Sequence, residues 1–91
     1  MCMRTLKAGA LAVLAASSFL AYAAPECTKE PKSKWMAQDD MKAKIEAQGY
    51  RISRFLISGN CYEIYGRDKD GKKVEIYFDP VDGHTIKQRG S

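Results

Sequence analysis

Few residues in this chain could do covalent chemistry. The lone histidine, His84, follows Asp79 and Asp82 closely. An imidazole beside a carboxylate is part of a hydrolytic relay, but the relay also needs a nucleophile. No serine or cysteine nucleophile is evident beside it. The cysteines lack a Cys-x-x-Cys spacing, and one histidine cannot complete a zinc site with them. Asp68, Asp70 and Gly71 begin like a calcium loop, but no glutamate closes the ligand series. The sequence therefore predicts no catalytic residues, no metal and no cofactor.

Binding is the better-supported chemistry. Glu63, Tyr65, Arg67, Lys73, Glu75 and Tyr77 alternate with apolar residues along two candidate strands. Tyrosine offers a large contact area with a polar tip, which suits interfaces. These six residues form the candidate binding face. A wet sheet face with ordinary cross-strand pairs explains the same pattern. An edge strand that pairs with a partner's extended peptide is a third reading, and the first or last strand would supply it.

The chain has 91 residues, and its formal charge of +4 is unevenly spread. All 11 acidic residues follow position 23, as do all but two of the 15 Lys and Arg. The folded part is thus only mildly basic. A nucleic-acid binder of this size would carry a denser basic face, so no nucleic-acid partner is expected. Residues 1–23 read as a cleaved signal peptide: Arg4 and Lys7 precede the apolar run Ala8–Leu20, and Ala21-Tyr22-Ala23 suits a signal peptidase. The run is shorter than the ~20 residues of a spanning helix, so no membrane anchor is expected after cleavage. The protein is then periplasmic or extracellular.

Cleavage removes Cys2 and leaves Cys27 and Cys61. An even pair in an oxidising compartment favours a structural disulfide over a redox or metal pair. Closing such a loop stabilises a fold by about 3–4 kcal/mol in the chain-entropy model. A single small domain, residues 24–91, benefits from that staple.

The elements can be read in order. Residues 24–34 form an extended polar arm, and Trp35 is a core anchor. A helix runs from about Gln38 to Gln48. Asp39 and Asp40 lie in its first turn, Ala37 is a poor cap, and Gly49 makes a left-handed stop. Met41, Ile45 and Gln48 form its narrow apolar stripe. Strands follow at Arg51–Ile57, Cys61–Arg67 and Lys72–Asp79, with a short fourth at His84–Gln88. Asp79, Pro80 and Gly83 read as a structural turn, as does Gly71.

The loop ending in Gly71 sets the register, with Tyr62 opposite Phe78, Ile64 opposite Ile76 and Gly66 opposite Val74. All six lie on the core side. Gly66 is expected to let the helix approach closely. Ile52, Phe55 and Ile57 point inward together only if a bulge intervenes. The class is α+β: one amphipathic helix on a three- to four-stranded antiparallel meander, stapled by one disulfide.

In order and spacing, these features resemble the small secreted PepSY-like domains, a family first noted in peptidase propeptides. The matching residues are Lys34-Trp35 beside the cysteine arm, Gln48-Gly49-Tyr50, and Cys61-Tyr62-Glu63-Ile64-Tyr65. The longest match runs from Asp68 through Tyr77-Phe78-Asp79-Pro80 to Gly83. Ala37 stands where a Ser or Thr cap is usual. The resemblance implies a helix packed on an antiparallel sheet. It also implies a non-enzymatic binding or regulatory role toward a protein partner, such as an exported peptidase whose cleft it would occlude. The alternative is a small-ligand or envelope-polymer binder using the Tyr65/Tyr77 face.

Overall fold

The structure is a computed structural model that describes residues 24–90. The leader expected at 1–23 and its cleavage site lie outside the described residues. A 3-10 turn at Lys32–Lys34 precedes helix α1, Gln38–Ala47. Four strands follow: β1 Arg51–Ser58, β2 Cys61–Arg67, β3 Lys73–Phe78 and β4 Thr85–Gly90. They form one antiparallel sheet in the order β1-β2-β3-β4. The fourth strand begins and ends later than the sequence suggests, and the arm carries a short turn.

Helix α1 begins after Ala37, whose side chain makes no capping bond. Asp39 and Asp40 supply negative charge to the first turn instead. The helix ends where Gly49, at φ 102°, donates its N–H to Glu46 O at 2.9 Å. Met41 and Ile45 are fully buried, whereas Gln48 is exposed and drops out of the expected stripe.

The main core joins Met41 and Ile45 to Tyr62, Ile64, Val74, Ile76 and Phe78. Trp35, Met36, Tyr50, Ile52 and Phe55 pack around it. Each large apolar side chain so buried contributes about 1.5–3 kcal/mol. The β2–β3 register is the expected one, Tyr62↔Phe78, Ile64↔Ile76 and Gly66↔Val74. Trp35 meets Tyr62 edge-on at 5.3 Å, and Tyr62 Oη donates to Met36 O at 2.6 Å. Met36 N–H in turn donates to Pro80 O at 2.7 Å. The end of the arm is thereby tied to the β3–β4 turn.

The expected bulge in β1 lies between Ile52 and Arg54. It brings Ile52, Phe55 and Ile57 opposite Gly66, Ile64 and Tyr62. The role expected of Gly66 needs correcting. A Cβ there would overlap the Arg51 carbonyl and come within 3.2 Å of Ile52 Cα. The bulged β1 backbone, not the helix, occupies the space above Gly66. The helix makes its close approach at Gly83, where a Cβ would stand 2.7 Å from Lys44 Cε. Gly83 also holds φ 81°, as a left-handed turn residue does.

Candidate functional site

Strand alternation divides β2 between two faces. Tyr62, Ile64 and Gly66 face α1, so Cys61, Glu63, Tyr65 and Arg67 face away from it. The Cys27–Cys61 disulfide, with Cα atoms 5.1 Å apart, therefore fastens the arm to the far face. Asn60 makes the join rigid. Its Oδ1 accepts Cys27 N–H at 3.0 Å, while its Nδ2 donates to Glu26 Oε2 at 2.7 Å and to Thr28 O.

Cys27, Cys61 and Tyr77 form a second buried cluster, with Ala24 and Ile86 against it. This corrects the expectation of a solvated face. Tyr77 and Glu63 are each only 3% exposed, whereas Tyr65 is 38% exposed. The structure brings the six candidate residues to one face, but the arm and β4 cover its centre.

A polar network fills that covered region. Burial, and then the neighbouring Glu75 side chain, raise the Glu63 carboxyl above its ordinary range, and Glu63 Oε2 is buried without a hydrogen-bond partner among the described residues. Glu75 moves down, first through the neighbouring Glu63 side chain and then, against its own burial, through Arg89. Tyr77 Oη donates to Glu75 Oε2 at 3.2 Å, and Arg89 Nε lies 3.6 Å from Glu75 Oε1. Burial, and then the two carboxylates, push the Tyr77 phenol up to about 12. Such a network fixes the outer β3–β4 pairing.

Sequence reading missed Arg89, Arg54 and Asn60. Arg89 pairs with Glu75 across β3–β4, through a register shift between Tyr77 and Phe78 that the sequence leaves open. Arg54 stacks over Tyr65 at 5.4 Å, but its face depends on a bulge whose position the sequence leaves open.

A family model described as the peptidase propeptide and YPEB domain matches residues 5–89. The chain belongs to this PepSY family. No curated protein and no solved structure matches it. PepSY domains are generally non-catalytic propeptide or inhibitor modules.

The histidine cluster of this PepSY domain has a structural use. Asp79 N–H donates to His84 O at 2.9 Å, Gly83 N–H to Asp79 O at 2.8 Å, and Val81 N–H to Asp79 Oδ1 at 2.7 Å. His84 Nδ1 lies 2.6 Å from Asp82 Oδ1, and the His84 backbone N–H and then its ring lower Asp82. Asp79, Asp82 and His84 place three ligand atoms within 4.8 Å of one another. The two carboxylates are already engaged in closing the turn.

The sheet edges remain. Among the described residues, β1 and β4 each pair on one side only, with β2 and β3 respectively. β1 is the longer, with eight residues. On it Ile57 is 41% exposed, a large apolar side chain left at the margin of the core.

Proposed function

We propose that the protein is exported and acts as a non-enzymatic PepSY regulatory module that restrains a peptidase by occluding its cleft. The observation that carries this reading is the β1 edge. It is an eight-residue strand with one side unpaired among the described residues and an exposed Ile57. Peptidase clefts bind extended chain, and an edge strand presents its backbone in that form. The centre of each sheet face is filled by the chain itself, which leaves the edge as the accessible extended surface. The leader reading of residues 1–23 and the disulfide support export.

The test is inhibition of co-exported peptidases by purified protein. Activity of at least one should fall, and Ile57→Lys should restore it without altering the fold. Unchanged activity across a broad panel would sink the reading. The rival role, ligand binding through two exposed tyrosines, loses support because Tyr77 is buried.

A further inference from the structure

The far face carries a second feature, one row from the carboxyl pair. Arg51 on β1 pairs with Arg67 on β2, and Arg67 pairs with Lys73 on β3. Three cations thus stand side by side across adjacent strands, with about 4.5–5.5 Å between neighbouring Cα atoms. Like charges directly opposite one another destabilise a sheet. In the next row Glu75 stands between Tyr65 and Arg89, so that row is partly neutralised. The row of three is not. No carboxylate lies within salt-bridge reach of Arg51, Arg67 or Lys73 among the described residues.

Beside this row is a cleft between Gly49 and the β2–β3 loop, lined by Arg51, Arg67 and Lys69. Two acids share it, Asp68 and Asp70. Asp68 Oδ1 accepts the Asp70 and Lys72 N–H groups at 2.9 Å each, so its charge serves the loop. Arg67 Nη1 donates to Gly71 O at 2.9 Å, which holds that guanidinium at the cleft.

We propose that this cleft binds a phosphate group, with Arg51 and Arg67 as its two principal ligands and Lys69 and Lys73 as flanking charges. Two guanidinium forks on neighbouring strands match an anion with at least three acceptor oxygens and nearly two charges. A carboxylate, with two oxygens and one charge, satisfies only one fork. The group could be borne by a lipid headgroup or by a soluble phosphate, and the site chemistry is the same for both.

The probe is inorganic pyrophosphate, titrated into the protein at low ionic strength and followed by amide chemical shifts. Saturable shifts should centre on residues 51, 67 and 69–73. Arg51→Gln, which removes no hydrogen bond seen in the structure, should weaken binding at least tenfold. Lys29→Gln, a distant exposed cation, should leave it unchanged. Acetate at equal ionic strength should produce no saturable shift. Vesicles of phosphatidic acid in phosphatidylcholine form the second arm. Arg51-dependent binding to them identifies a headgroup, and binding of pyrophosphate alone identifies a soluble phosphate. The proposal is overturned if pyrophosphate does not saturate, if acetate matches it, or if Lys29→Gln weakens it as much as Arg51→Gln.

Discussion

Tyr77 on β3 donates its hydroxyl to Glu75 Oε2 at 3.2 Å, beside a Glu63 carboxyl that is 3% exposed, and the two acids shift in opposite directions. The pH consequence follows from the opposite directions of the two shifts. Glu75, lowered, adds stability above the ordinary value of 4.5, lost as pH falls through its folded value. Glu63, raised, adds stability below 4.5, lost as pH rises through its folded value. The two contributions together are therefore greatest around the ordinary glutamate range.

Glu63→Gln keeps the shape of the side chain without a charge to bury. Urea unfolding should find it more stable than wild type at pH 7, by on the order of 1 kcal/mol. The advantage should vanish near pH 4. An equal gain at both values would refute the upward shift of Glu63.

The disulfide makes a large contribution to stability. Replacing Cys27 and Cys61 by serine should cost about 3–4 kcal/mol in the chain-entropy model. Thermal melts with and without reductant check the cost. Intact mass checks the bond itself, which removes two hydrogens. A reductant-insensitive melt would contradict the role given to the arm.

Gly66→Ala is expected to destabilise the sheet by about 1–3 kcal/mol, the range for forcing atoms into filled space. The clash is with backbone that cannot rotate away. Loss should appear as a lower denaturation midpoint with helix content preserved in the native baseline. A neutral result would mean that β1 does not cross Gly66 as described.

The two tyrosines should part company on truncation. Tyr77→Ala opens a buried site and should cost roughly 3–5 kcal/mol, as large aromatic truncations do. Tyr65→Ala removes a partly exposed ring and should cost less than about 1 kcal/mol. Equal costs would show that the arm does not cover one and spare the other.

Much of this fold was legible in the sequence, and the reasons are local. The Gly71 loop and period-two alternation determine the β2–β3 register, and the misfit of Ile52 with Phe55 demands a bulge. What covers the far face is a non-local matter. Cys61 alternates with Glu63 and Tyr65, which places its sulfur away from the helix. That parity was available, and it would have predicted that the arm buries Tyr77. Gly66 was misread because a missing side chain shows that something comes close without saying what. The candidate site was legible as a face and not as a network, because Arg89 joins it only through the register shift in β4.

The Cys27–Cys61 bond also changes what a backbone cut can do. It encloses residues 28–60, a segment that includes α1 and all of β1. One scission anywhere in that segment yields two pieces still joined through sulfur, with the β2–β3–β4 sheet unbroken. For a domain that would work against peptidases, a first bite need not release anything. The nicked molecule stays one molecule, and the edge strand stays tethered beside the enzyme that cut it.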